Sequence, residues 1–279
     1  MSAIATLSPG GAADPMRAAL STRPRPARPG AAATALAFAW RAVLRIKHVP
    51  DQLSDVTVFP LMMLVMFTYL FGGALAGSTG EYLQSVLPGI LVMTVTMTTQ
   101  STAVALNADI TKGVFDRFRS LPIWQPAPLV GALLADLARY TIAATVIASI
   151  GALLGFRPEA GIPGLLAGIA VVLLFAWSLS WVWTTLALLA RTPESVMFLA
   201  ILVTFPMSFL SNIFIDPATL PGWLEAIVDI NPITHLVTAV RGLMHGDPVP
   251  TEIGWVLLTC AALITVFGPL TMRLYRRER

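Results

Sequence analysis

Apolar positions along this chain come in long unbroken runs, not in the spaced stripes of a surface helix. Asp55 and Glu81 enclose 25 residues without a charge, and Glu81 and Asp109 enclose another 27. A helix needs ~20 apolar residues to cross the hydrocarbon core of a bilayer, so each run predicts one span. Extended along the chain, the pattern predicts six spans, at residues 56–76, 84–106, 133–155, 162–189, 195–215 and 253–272. Pro60 and Pro88 fall inside the first two. Proline is tolerated there because neighbouring helices can satisfy the freed backbone groups, and it can equally mark a kink.

The segments between runs carry patterns of their own. Residues 1–30 are rich in Pro, Gly and Arg and read as a disordered basic leader. A secretory signal is rejected, because Arg41, Arg45 and Lys47 follow the apolar stretch where a small-residue cleavage site should stand. In residues 31–50, Leu36, Trp40, Val43 and Leu44 share one helical face, with Arg41, Arg45 and His48 elsewhere. This predicts an amphipathic helix in the membrane interface; an ordinary cytosolic helix is the alternative. Residues 216–252 are too apolar for a solvated loop and too charged for a full span, and Asn231-Pro232 divides them into two short pieces. A re-entrant or interfacial helical hairpin and a small exported cap both fit this pattern. Gly73/Gly77, Gly151/Gly155 and Gly164/Gly168 have the spacing that permits close helix approach, a weak signal in a chain so rich in Gly and Ala.

Composition agrees with the runs. The 279 residues are 56% hydrophobic and 12% charged, whereas soluble domains are about 25% charged. A net charge of +3 gives no argument for nucleic acid, but the distribution of cations is informative. Seven precede the first span (Arg17, Arg23, Arg25, Arg28, Arg41, Arg45, Lys47), and Lys112, Arg117 and Arg119 lie between the second and third. Arg191 follows the fourth span, and Arg273, Arg276, Arg277 and Arg279 close the chain. Only Arg157 and Arg241 fall on the other side, so the positive-inside rule predicts that both termini are cytoplasmic. The single Cys260 permits no disulfide framework, and His48, His235 and His245 are scattered, without metal-ligand spacing.

Candidate chemistry is sparse. Neither of the two lysines, Lys47 and Lys112, follows the glycine-spaced loop of a nucleotide site, and no HExxH or GxSxG is present. An ion-driven transporter usually keeps charges deep in its spans, yet only Asp136 and Arg139 intrude, three apart in the third span. They are placed to pair with each other and snorkel, as a structural ion pair rather than a proton relay. By elimination the chain reads as a membrane-embedded conduit energised from outside itself. A stand-alone secondary transporter or channel is the alternative, and a polytopic lipid-modifying enzyme is a third.

One charged island remains, the segment 109–121. Set on a helix, Ile110, Val114, Phe118 and Leu121 fall within a stripe of about 80°, with Asp109, Lys112, Asp116 and Arg119 opposite and Arg117 at its edge. Pro122 stops the helix, since a residue before proline disfavours helical geometry. Such a helix, which also carries Phe115, is suited to dock in a groove of a cytoplasmic partner; the alternative is that its cations only fix topology.

DRFRSLP after the second span, followed by Gly131, Asp136 and Arg139, resembles the permease subunits of type-2 ABC exporters, particularly the daunorubicin-resistance permease group. FPLMMLVMFTYLFGGAL (59–75) resembles that family's first span, and residues 211–248 resemble its segment after span five. The resemblance covers residues 35–279. It implies an all-α polytopic fold of six spans, with an N-terminal interfacial helix at 31–50 and an ABC type-2 transmembrane domain over 51–279. It further implies a second permease copy, two copies of a separate ATPase subunit that holds ATP and Mg2+, and a bacterial cytoplasmic membrane. Residues 109–121 would form the coupling helix, and Pro217, Pro221, Trp223, Asn231, Pro232 and Arg241 the extracellular gate. Family members export amphiphilic drugs, lipids or glycans. Ile123, Trp124, Gln125, Pro126 and Gly131-Ala132 depart from the family's usual charges, so those charge contacts do not carry over. A cargo path along spans two and five is expected to involve Thr94, Thr98, Gln100, Phe205, Met207 and Phe209, with Gln100 facing the bundle interior.

Overall fold

The computed structural model describes residues 30–48, 58, 60–73, 77–113, 126–214 and 217–277. Among the described residues the chain is entirely helical. Helix α1 is Ala31–His48 and α2 is Pro60–Phe71, whose last turn, Phe67–Phe71, widens to a π-helical turn. Then come α3 (Thr79–Thr111), α4 (Ala127–Leu153), α5 (Gly161–Leu189) and α6 (Pro193–Phe209). A short turn at Pro217–Thr219 leads to α7 (Gly222–Ile230), α8 (Pro232–His245) and α9 (Pro250–Arg277). Helices α3, α4, α5 and α9 are long and apolar enough to cross a membrane; α2 and α6 are shorter apolar helices.

Polar residues set the helix ends. Ser78 accepts a bond from Glu81 N (3.1 Å) at the start of α3, and Thr192 accepts one from Ser195 N (3.2 Å) at the start of α6. Each satisfies an amide that the first turn leaves without a partner. Gly246, at φ +88°, ends α8 in the left-handed conformation that favours glycine.

Helix α3 is the axis of the bundle, touching α2, α4, α5, α6 and α8. Two apolar clusters mark its ends. One joins Leu83–Ile90 of α3 to Ile147 of α4, Phe175 of α5, Leu236 and Val240 of α8, and Val256 of α9. The other joins Leu106 of α3 to Leu129 of α4, Trp183 and Leu188 of α5, Val196 of α6, and Tyr275 of α9. The second cluster thus gathers the end of α3, the start of α4, the end of α5, the start of α6 and the end of α9. Those five helices therefore alternate in direction across the bundle.

One helix departs from the sequence pattern, and two others show packing that the pattern left open. The fifth predicted span runs to residue 215, but α6 ends at Phe209, and Ser211, Asn212 and Ile213 form a buried turn. Pro206 starts this ending, because it has no amide to continue the ladder. Gly89 of α3 receives the turn closely: a Cβ there would lie 3.0 Å from Ile213 Cα. In helix α1 the packing adds a second, small-residue face. This buried face is the set Thr34, Ala35 and Ala39, laid on α4, while Leu36, Trp40 and Leu44 are exposed. Gly131 permits that crossing, since a Cβ there would stand 2.5 Å from Phe38 Cβ and 3.0 Å from Ala35 O.

Helix α8 is more deeply packed than a surface hairpin. Ile233, Leu236, Val237, Ala239, Val240 and Met244 are all buried. Of the three glycine pairs, Gly164/Gly168 forms this contact through both members. A Cβ on Gly164 would fall 2.4 Å from Leu243 O, and one on Gly168 would fall 3.0 Å from Met244 Cε. Gly151 alone of its pair is tight, against Leu87, while Gly155, Gly73 and Gly77 meet nothing within 4 Å.

Candidate functional site

Asp136 and Arg139 do not snorkel. Both are buried, at 2% and 8% exposure, and are ion-paired to each other one helical turn apart on α4. The Thr102 hydroxyl of α3 donates to Asp136 Oδ1 and accepts from Arg139 Nη2, so the pair is closed by a neighbouring helix. One residue further along α4, Tyr140 shares a 2.7 Å bond with Ser180 of α5, and Trp183 Nε1 donates to Thr99 of α3 (2.7 Å). Buried charge is tolerated in an apolar interior only when it is paired and hydrogen-bonded. These contacts tie α3, α4 and α5 together across the middle of the bundle.

Two asparagines perform a different task. Asn107, near the end of α3, donates to Ala187 O and Ala190 O (2.8 Å each), satisfying carbonyls that the end of α5 leaves open. Asn231 does the same at the other end of the bundle and adds a second role. Its Nδ2 donates to Met207 O (2.7 Å) and Leu210 O (2.6 Å) at the end of α6, while its Oδ1 accepts from Ile233 N (2.9 Å) and caps α8. One side chain therefore joins the end of one helix to the start of another.

The remaining expected gate residues lie around this joint. Pro217 starts the short turn before α7, Pro221 precedes α7, and Trp223 projects outward at 68% exposure. Pro232 is the first residue of α8. Arg241 donates to Ser85 O (3.2 Å) and Asn212 O (3.1 Å), binding α8 to the start of α3 and to the buried turn. His235 meets Glu252 at 2.5 Å and stacks on Trp255, linking α8 to α9.

The residues expected along a cargo path are not gathered in one place. Thr94 and Thr98 are buried and donate to carbonyls of their own helix, Ile90 O and Thr94 O, both at 2.7 Å. Gln100 is half-buried, and its Oε1 has no hydrogen-bond partner among the described residues. Phe205 and Phe209 pack together at 4.4 Å on an exposed face of α6. Met207 instead lines a cavity of about 450 Å3 between α3, α5, α6, α8 and α9. Of the expected coupling residues, Asp109 and Ile110 end α3 beside Asn107, with Ile110 against the apolar cluster there. Val114, Phe115, Asp116, Arg117, Phe118, Arg119 and Leu121 lie outside the described residues.

Sequence reasoning missed Thr102, Asn107, Tyr140 and Ser180. The available signal was modest: an Asn and a Thr flanking an otherwise apolar run, each without a partner nearby in sequence.

A bundle, all-helical among the described residues, whose longest helices can cross a bilayer and are cross-linked inside by buried polar bonds, is a multi-pass membrane protein. Residues 34–245 match the ABC-2 type transporter family, and the chain belongs to that family. It is similar to the daunorubicin resistance ABC transporter permease protein DrrB1 of Streptomyces coeruleorubidus, with 49% identity over 94% of this chain and 93% of that one. It is also similar to the probable doxorubicin resistance ABC transporter permease protein DrrC of Mycobacterium tuberculosis, with 26% identity over 79% of this chain and 80% of the relative. Nodulation protein J of Rhizobium meliloti is 29% identical over 65% of this chain and 71% of its own. The protein is a permease subunit of an ABC transporter.

Proposed function

We propose that this chain is the six-span, membrane-embedded half of an ATP-driven exporter, paired with a second permease copy and with two copies of a separate ATPase. It moves an amphiphile outward across a bacterial cytoplasmic membrane, with both termini in the cytoplasm. The observation that carries this reading is the 49% identity, over nearly the whole chain, to a daunorubicin resistance permease.

The packing supplies a transmission route. Segment 109–121 begins within the last turn of α3, just after Asn107, which anchors that end to α5. The same segment leads into α4, which Asp136 and Arg139 brace against Thr102 of α3. A push delivered by an ATPase to this segment therefore moves α3, α4 and α5 as one body. Their far ends carry α8, whose first residues share a cavity wall with Phe175 while Leu243 O lies against Gly164. Eleven residues of α5 separate these levels, about 16 Å at 1.5 Å per residue. Helix α8 thus descends into the bundle, which supports a re-entrant hairpin with Asn231 at its deep point.

The test is uptake of daunorubicin into inverted membrane vesicles holding this chain and a candidate P-loop ATPase partner. Uptake is expected to need ATP and both subunits. Phe118→Asp, which puts a charge in the expected docking stripe, is expected to abolish co-purification of the ATPase. Uptake that survives removal of the ATPase would sink the proposal.

A further inference from the structure

The cavity between α3, α5, α6, α8 and α9 holds about 450 Å3. None of the interactions described so far uses it, and its volume falls within the ~300–1,000 Å3 of small-molecule sites. Its wall is hydrocarbon, including the rings of Phe175, Trp183 and Phe267. Trp183 is held rigidly there by its bond to Thr99 (2.7 Å). Threonines on the wall do not make it polar. Thr185 donates back to Trp181 O (2.8 Å) and Thr259 to Trp255 O (2.9 Å), so both hydroxyls are satisfied within their own helices.

Two wall threonines are different. Thr96 and Thr204 are buried at 1% and 3% exposure, and neither hydroxyl has a hydrogen-bond partner among the described residues. Buried hydroxyls are nearly always bonded, and both residues line the cavity. An oxygen on the edge of a ligand would then satisfy either hydroxyl. At about 450 Å3 the space suits a drug-sized ligand. We infer that this cavity is a binding site within a single subunit for an uncharged, oxygen-bearing aromatic ring system, the apolar body of an amphiphile entering from the membrane. The inference deepens the exporter reading, and the position suits it: Pro232 and Ile233 form part of the wall, so an occupant bears directly on the joint that Asn231 holds.

The test uses the full chain in lipid nanodiscs, without an ATPase, photolabelled with benzophenone. Labelling is expected on peptides bearing Met207 and Leu263, with anthraquinone competing better than anthracene. Filling the space with Leu263→Trp, or independently with Val203→Trp, is expected to lower that labelling at least about tenfold while labels elsewhere on the chain persist. The double variant Thr96→Val and Thr204→Val is expected to erase the advantage of anthraquinone over anthracene and leave anthracene unaffected. The proposal is overturned if labelling survives both filled variants. It is equally overturned if a diazirine-bearing phosphatidylcholine labels the same peptides and anthraquinone fails to displace it, since the site would then hold a lipid chain. Because the readout needs no ATP, its failure leaves the exporter reading standing. Intact labelling with no ATP-driven uptake would count against the exporter reading alone.

Discussion

Asn231 separates two explanations of the break between α7 and α8. If it only caps α8, any good capping residue replaces it; if it also holds the end of α6, only an amide does. Asn231→Ala removes three bonds, the cap to Ile233 N and the donations to Met207 O and Leu210 O. Loss of an N-cap costs ~1 kcal/mol, and side-chain hydrogen bonds between membrane helices average ~0.6 kcal/mol with a maximum near 1.7. The alanine variant is therefore expected to lose about 2–3 kcal/mol. Asn231→Ser keeps the cap but lacks the reach, for a loss of about 1–2 kcal/mol. Asn231→Asp is the decisive variant. It caps as well as asparagine but sets carboxylate oxygens against two carbonyls that now accept at 2.6–2.7 Å. The expected order of thermal denaturation midpoints in nanodiscs is wild type, Ser, Ala, with Asp equal to or below Ala. An aspartate variant as stable as wild type would refute the tie to α6, and with it the idea that this joint couples the two helices.

Three further outcomes follow from the packing. Either Asp136→Ala or Arg139→Ala alone leaves an uncompensated buried charge and is expected to cost about 3–5 kcal/mol, whereas the double change Asp136→Leu with Arg139→Met recovers most of it; protease resistance in membranes distinguishes these. Gly164→Ala drives a methyl to within 2.4 Å of Leu243 O and is expected to destabilise by about 1–3 kcal/mol, while Gly254→Ala, with nothing within 4 Å, leaves the denaturation midpoint unchanged. Asn107→Ala frees the end of α5 and is expected to lower drug-stimulated turnover of a bound ATPase without loosening its binding; unchanged stimulation would remove α5 from the transmission route.

The long helices were legible because length and lack of charge suffice to specify a bilayer span, and α3, α4, α5 and α9 follow those runs closely. The end of α6 was not. Pro206 announces a possible stop, but only the long-range contact of Ile213 with Gly89 makes a buried turn preferable to two more turns of helix. The pairing of Asp136 with Arg139 is readable from a spacing of three, whereas Thr102, 34 residues upstream of Asp136, has no local signature. The break at Asn231-Pro232 announced a second short helical piece, α8, but not what covers it. Gly164/Gly168 held that information, hidden among equally spaced glycines at 73/77 that pack against nothing within 4 Å. For α1, Leu36, Trp40 and Leu44 of the expected apolar face point outward, and the face laid on α4 is the small-residue set Thr34, Ala35 and Ala39, which the pattern did not single out. Pattern alone shows that two faces differ; the partner decides which is inside.

The threonines of α3 bear on how such a protein is made. Chains are synthesised from the N-terminus, so α3 enters the bilayer before α5, α6 and α8, the helices that finally surround it. Thr94, Thr98, Thr99 and Ser101 each donate to a carbonyl three or four residues back on α3 itself, at 2.6–2.7 Å. Four hydroxyls that look like preparation for a polar partner are thereby already satisfied within their own helix. Newly inserted α3 can wait among lipid tails without exposing those four donors, and its bonds to other helices, made by Thr102, by Asn107 and by the Thr99 oxygen that accepts from Trp183, form only as later helices arrive.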